Sequence, residues 1–211
     1  MRLAAQDTLT GLHNRHQFLS HVGDHLSLGE PATVILVDLD GFKEVNDTHG
    51  HATGDGLLQA VGVRLQYLLR QDAIVARLGG DEFAILLPGS GDPLKAHAEA
   101  TEILGAFRKP FHLGGLVLDL GASLGIAIAP QHGADADELV ASADFALYRA
   151  KASGGGCGRL FDHSMRSEAQ ARRAIRDELR QALQDGQLRL YYQPQVRLDT
   201  AEPIGFEALI R

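Results

Sequence analysis

Cysteine is almost missing from this chain: Cys157 stands alone in 211 residues. A single thiol excludes an intramolecular disulfide framework and a cysteine-rich zinc site, and it suits a reducing compartment, so a cytoplasmic location is expected. Long hydrophobic runs are missing too. The most apolar stretch, Leu116 to Pro130, contains Asp119 and is too short to span a bilayer. The opening Met1-Arg2-Leu3-Ala4-Ala5-Gln6-Asp7 holds no hydrophobic signal region, so any anchor is expected upstream in a longer parent protein. A basic excess is also lacking. Lys plus Arg number 20 against 27 Asp plus Glu, a net charge of −7 with His neutral. That balance removes the basic footprint of a duplex binder, and no nucleic-acid polymer is expected as a partner. A nucleotide enzyme stays open, because acids reach phosphates through Mg²⁺. Neither a P-loop nor Gly-x-Gly-x-x-Gly stands at a strand–helix junction. Ser123 has no His/Asp partner pattern that would make it a nucleophile.

What is present reads as one domain with a remainder. Hydrophobic residues make up 45% and charged residues 22%, which suffices for a sizeable core. Thr33 to Leu39 is a short β-branched run, hence a buried strand. Gly50, Gly54 and Gly56 then suggest a loop. After it Leu57, Leu58, Val61, Leu65, Leu68 and Leu69 recur at helical spacing, predicting a helix over roughly 55–70. Ala73 to Leu78 and Asp81 to Leu87 flank Gly79-Gly80 and predict a hairpin with a Gly-Gly turn. Pro93 to Phe107 is helix-like. Val117 to Ala129 reads as one or two strands, with Gly121 and Gly125 as bends. Asp135 to Ala152 predicts a helix with Leu139, Ala143, Ala146, Leu147 and Ala150 inward. Helices and strands alternate without a strict βαβ rhythm, so the fold class is α+β. Residues 164–185 are a charged, arginine-rich helical stretch that reads as a connector. Leu188 to Val196 is strand-like, and too little chain remains after it for a second core.

Acids gather at predicted strand ends. Asp38 and Asp40 close one strand; Asp81 and Glu82 open another. Carboxylates at adjacent strand tips converge on hard cations that prefer oxygen, and the same acids also serve as solvated turn residues. Strand alternation puts Asp81 and Glu82 on opposite faces, so one of the two is expected to do the metal work. Asn46, Asp47 and Asp55 lie in the glycine-punctuated segment. Asn and Asp suit a purine edge, while Asp55 near a helix start also suits a cap. Gly79 and Gly80 serve either a tight turn or the close approach of a large ligand. His49 and His51 lack a third zinc ligand. Lys43, Arg77 and Lys151 are isolated cations, and each alone reads as a surface charge.

Together these residues resemble a family. Gly79-Gly80-Asp81-Glu82-Phe83 is the signature of the GGDEF diguanylate cyclases. Around it stand Asp7-x-Leu9-Thr10-Gly11-Leu12-x-Asn14-Arg15 and Asp38-x-Asp40-x-Phe42-Lys43-x-x-Asn46-Asp47, then Gly50-His51-x-x-Gly54-Asp55 and Arg77-x-Gly79. Ala143-Asp144-x-Ala146-Leu147-Tyr148-x-Ala150-Lys151 completes the set, over about 7–161. The resemblance implies a palm-like α+β domain with a mainly antiparallel central sheet flanked by helices. It implies condensation of two GTP into cyclic di-GMP and two pyrophosphates across a homodimer. By motif, Asp38, Asp81 and the backbone carbonyl of Leu39 would bind Mg²⁺ or Mn²⁺. Asp81 would also help deprotonate the 3′-hydroxyl, and Glu82 is a further signature acid. Asn46 and Asp55 would read guanine. Lys43, Arg77 and Lys151 would hold phosphates, and Gly79 and Gly80 would give the nucleotide room.

The tail is similar to another family. Tyr191-Tyr192-Gln193-Pro194-Gln195 and Glu207-Ala208-Leu209-Ile210-Arg211 look like the opening of an EAL-type cyclic-di-GMP phosphodiesterase. That domain is a TIM-like barrel far longer than the chain that remains. The expected organisation is a GGDEF domain over 1–162, a connector helix over 163–186 and a truncated EAL start over 187–211. An alternative function is a GTP-binding regulatory domain that controls the phosphodiesterase. Two departures from the GGDEF pattern stand out. Gly155 occupies a position where the family often has a phosphate-contacting Arg. Ala73 replaces the Asp of the Arg-x-x-Asp product-inhibition site, with Asp72 one residue early. Weak or absent feedback inhibition through this site is therefore expected.

Overall fold

The structure is a computed structural model that describes residues 5–165, 178 and 181–210. The chain divides into two units, Met1–Arg166 and Ser167–Arg211. In the first unit the order is α1 (Arg15–Ser27), β1 (Ala32–Asp40), α2 (Phe42–His49), α3 (His51–Leu68), β2 (Ile74–Gly79), β3 (Glu82–Pro88) and α4 (Pro93–Phe107). Then follow β4 (Phe111–Leu113), β5 (Leu116–Leu118), β6 (Gly121–Ala129), α5 (Ala136–Ala152) and β7 (Gly158–Leu160). The second unit contains the antiparallel pair β8 (Leu190–Val196) and β9 (Pro203–Ile210).

Strand order in the main sheet is β2-β3-β1-β6-β7. All pairings are antiparallel except β6 with β7. The α+β class and the mainly antiparallel sheet are as the sequence predicts. β1 is central and buried on both faces. Its odd residues Ile35, Val37 and Leu39 pack with Leu57, Val61 and Leu65 of α3 and Ile103 of α4. Its even residues Val34 and Leu36 pack with Phe18 and Val22 of α1 and Leu139, Ala143 and Leu147 of α5. The two-residue period of a strand thus divides one apolar run between two cores, giving helix, sheet and helix layers.

Local chemistry sets the helix ends. Asp135 caps α5 by accepting from Glu138 N, and Glu138 Oε2 accepts from Ala134 N, just before the cap, at 3.1 Å. Pro93 opens α4 after the Asp92 cap.

Several expectations shift. The segment from Phe42 to His49 is helical, and the next helix begins at His51, so Gly54 and Gly56 are helical rather than loop residues. The reason at Gly54 is contact: a Cβ there would stand 2.0 Å from Asn46 Oδ1. Asp55 therefore lies inside α3 and caps nothing; Gly50 takes the cap position. The hairpin turn is Gly80-Asp81, one residue later than predicted, because β2 bulges between Arg77 and Gly79 and Gly79 pairs with Glu82. Asp81 is a turn residue, so strand alternation does not govern it. A two-residue Gly-Gly hairpin does occur, at Gly114-Gly115, both with positive φ. Gly125 bends nothing. It faces α5, where a Cβ would meet Ala143 O at 2.1 Å and Leu147 N at 2.3 Å. Most of the expected connector, 166–177 and 179–180, lies outside the described residues.

Candidate active site

The sheet brings its acids together at one end. β3 begins at Glu82, opposite Asp38, whereas β6 runs on to Gly121, opposite Asp40. Asp38, Glu82 and Ser123 are cross-strand neighbours on the α5 side of the sheet. Asp38 is buried, with 7% of its side chain exposed, and its Oδ2 lies 2.5 Å from Lys151 Nζ in the last turn of α5. Burial pushes the Asp38 carboxyl above its ordinary range, with Asp81 and Asp40 adding to the rise; the Lys151 ammonium opposes it. Burial also raises Glu82, reinforced by Asp38, Asp144 and Asp81 and opposed by Lys151. An anionic centre with one cation on it attracts further positive charge.

The hairpin turn is braced from below. Arg77 Nε and Nη2 donate to Gly80 O at 3.0 and 2.8 Å, while Nη1 donates to Asp7 Oδ1 and Oδ2 at 3.2 and 3.1 Å. Asp7 also accepts from the backbone and hydroxyl of Thr10. Burial pushes Asp7 up, but the hydrogen bonds from Thr10 and the Arg77 guanidinium outweigh it and hold the carboxyl below its ordinary range. The resemblance implies that Arg77 holds a phosphate; its guanidinium here bonds the turn and the Asp7 segment.

On the other side of the β1 end, α2 carries exposed Lys43 in its first turn and half-buried Asn46. Asn46 lies against Gly54, next to the exposed Asp55 on α3. The acids (Asp38, Asp81, Glu82) and Lys151 thus form one cluster, and Asn46 with Asp55 a second group, joined by the short β1–α2 connection. Leu39 is buried in the core, so only its backbone is available to a ligand.

Among the described residues no three His, Cys, Asp or Glu side chains form a metal-binding group. The acids at the β1 and β3 ends still fit a hard cation. The donors on offer are carboxylate and carbonyl oxygens, and Mg²⁺ completes its shell with water and substrate phosphates rather than with a protein cage.

Comparison with known proteins decides the family. Residues 4–157 match the model "Diguanylate cyclase, GGDEF domain". The chain belongs to the GGDEF family. A GGDEF domain of TpbB (YfiN) from Pseudomonas aeruginosa superposes with a TM-score of 0.75 at 35% identity, covering 78% of this chain and 99% of that one. The GGDEF domain with coiled coil of DgcB from Caulobacter crescentus, solved in complex with c-di-GMP, gives 0.66 at 26% identity over 75% of this chain and 85% of that one. Among curated relatives, an uncharacterized signaling protein of Caulobacter vibrioides is 41% identical over 99% of this chain and 26% of its own length. The cyclic di-GMP phosphodiesterase NbdA of P. aeruginosa is 36% identical over 100% of this chain and 27% of its own length. The bifunctional diguanylate cyclase/cyclic di-GMP phosphodiesterase MucR of the same organism is 37% identical over 100% and 31%. The chain spans about a quarter to a third of the length of these relatives.

Sequence reasoning left two residues of this region without a role. Asp40 was visible as a strand-end acid, but its partners were not. Asp7 was visible in the Asp-x-Leu-Thr motif, but its pairing with Arg77 across the fold has no spacing signal.

Proposed function

We propose that this GGDEF domain is a diguanylate cyclase that condenses two GTP into cyclic di-GMP and two pyrophosphates. The observation that carries the reading is the buried Asp38, beside Glu82 and the Asp81 turn, paired with Lys151. The product has two-fold symmetry, so two copies face each other, each holding one GTP. Each 3′-oxygen bonds to the other nucleotide's α-phosphorus, and the bond to pyrophosphate breaks.

Asp38, Asp81 and the Leu39 carbonyl would hold Mg²⁺ or Mn²⁺, which when bound would neutralise phosphate charge and make the 3′-hydroxyl more acidic. Asp81 accepts the 3′-hydroxyl proton, and Glu82 keeps the centre anionic. Asn46 and Asp55 read the guanine edge. Lys43, Arg77 and Lys151 hold phosphates, with Lys151 exchanging its Asp38 partner for the nucleotide. Arg77 also braces the signature turn. Gly79 and Gly80 leave the backbone open to the ligand.

A second reading is a regulatory GTP-binding domain that holds nucleotide without cyclising it. Gly155, at a position where the family often places Arg, favours it, as do relatives at 36% identity named as phosphodiesterases. We assign 1–162 to the GGDEF domain, 163–186 to a connector and 187–211 to the start of an EAL domain. The β8–β9 pair exposes Tyr191, Tyr192 and Phe206, as a fragment awaiting the rest of a barrel would. Glu207 stands where the EAL resemblance implies a metal ligand.

The test is an assay of the chain at high concentration with GTP and Mg²⁺, following cyclic di-GMP by chromatography. Product that falls by roughly 10²-fold or more in Asp81→Ala supports the cyclase. Saturable GTP binding without product, in a forced dimer as well, selects the regulatory reading. Absence of GTP binding overturns both.

A further inference from the structure

We propose that Asp40 is a positioning residue of the nucleotide site, clamping the glycine loop after α5 to the sheet and so fixing where Lys151 stands. The proposal rests on the function argued above.

Asp40 is the last residue of β1, beyond the start of β3. Its Oδ1 accepts from Ser123 Oγ at 2.7 Å, and its Oδ2 accepts from Gly156 N at 2.8 Å. Gly154, Gly155 and Gly156 have φ of +103°, +75° and +63°. Such a run is accessible at low cost only to glycine. The loop also folds back on the helix that precedes it: Gly154 N donates to Lys151 O at 3.1 Å and Gly155 N to Ala150 O at 3.2 Å. Holding Gly156 therefore holds the last turn of α5, which carries Lys151. The circuit closes through the sheet, because Ser123 is the cross-strand partner of Asp38, and Asp38 is the partner of Lys151.

The clamp also accounts for Gly155. A Cβ at that position would stand 3.2 Å from the Asp40 carboxyl, on a backbone that side chains rarely adopt. Replacing Gly155 with Arg is therefore expected to displace the clamp and weaken GTP binding, not add a phosphate contact.

The experiment is calorimetric titration of the chain with 3′-deoxy-GTP and Mg²⁺, since this nucleotide lacks the attacking hydroxyl. Asp40→Ala is expected to bind about tenfold more weakly, the scale of one lost charged hydrogen bond. Asp40→Asn, which still accepts from Gly156 N and reaches Ser123, is expected to recover affinity to within about threefold. Asp40→Ala combined with Lys151→Ala is expected to bind no more weakly than Lys151→Ala alone, because the clamp acts through that lysine. Wild-type affinity in Asp40→Ala overturns the clamp and leaves the cyclase reading intact. Equal weakness in Asp40→Ala and Asp40→Asn, or additive losses in the double variant, also overturns it. If wild type itself binds no 3′-deoxy-GTP, the cyclase reading fails and the proposal with it. Should Asp40→Ala not fold, Ser123→Ala decides, with about threefold weaker binding expected and wild-type affinity overturning the clamp.

Discussion

Arg77 joins the segment that enters the domain to the signature turn: one guanidinium bonds both Asp7 oxygens and the Gly80 carbonyl. The pair is mostly buried and doubly bonded, so it contributes more than a surface ion pair. Asp7→Asn is expected to lower stability by about 1–2 kcal/mol at neutral pH. The pH dependence has a definite sign. The folded-state carboxyl titrates below its ordinary value, so its stabilisation is fully present above that ordinary value and is lost as pH falls through the folded one. Thermal melts of wild type and Asp7→Asn should therefore differ at pH 7 and converge in acid, below the ordinary carboxylate value. A gap that persists there would show that geometry, not charge, carries the effect.

Lys151 and Asp38 compete with ligands for each other. At 2.5 Å the ammonium offsets a carboxylate that burial and two neighbouring acids disfavour. Lys151→Met leaves that carboxylate without its cation, and a loss of about 1–3 kcal/mol in stability is expected for a half-exposed partner. If Asp38 is a metal ligand, Mg²⁺ without nucleotide should raise the melting temperature of Lys151→Met more than that of wild type. Equal shifts would remove Asp38 from the metal site.

Arg70 bears on feedback by product. Its Nε lies 3.2 Å from Asp72 Oδ1, and its Nη2 donates to Pro88 O, so the guanidinium is already engaged. Position 73 holds Ala in place of the acid that the family's inhibitory pattern requires. Cyclic di-GMP is expected to inhibit weakly, and Arg70→Ala to change the inhibition constant by less than about threefold. Strong inhibition abolished by that substitution would contradict this reading.

The sequence shows the sheet more readily than the site. β1 and α4 are legible because apolar pattern and flanking residues agree, and α5 because its apolar residues recur as an inward stripe. The α2–α3 pair is not, since three glycines in seven residues look like loop until the Asn46 side chain is seen lying on Gly54. The hairpin turn is shifted by a bulge that local composition does not encode. Asp38, Asp81, Glu82 and Lys151 are found by motif, yet their partnerships join residues that are far apart in the chain. The Asp40 clamp bridges 116 positions, and no local pattern marks it.

His132 sets an acid-sensitive point at the opposite end of β6. Its Nδ1 accepts from Ile128 N at 2.9 Å, which requires that nitrogen to be unprotonated. Burial lowers its proton affinity, and so does His163; Asp162 opposes them. Phe161 lies edge-on to both rings, at 5.4 Å from each, and the two imidazoles are 6.4 Å apart. The folded-state value is depressed, so the unfolded chain binds the proton first as pH falls. The stabilisation is present above the ordinary histidine range near pH 6.5 and is lost as pH drops through the folded-state value. The segment after β7 should therefore loosen as pH falls below the ordinary histidine value. Amide exchange at Ile128 and Phe161, the latter donating to Ile126 O at 2.8 Å, should quicken with that fall in wild type. His132→Asn keeps an acceptor but does not titrate, and its exchange, corrected for the intrinsic pH effect, should stay flat. The same acceleration in His132→Asn would place the sensitivity elsewhere.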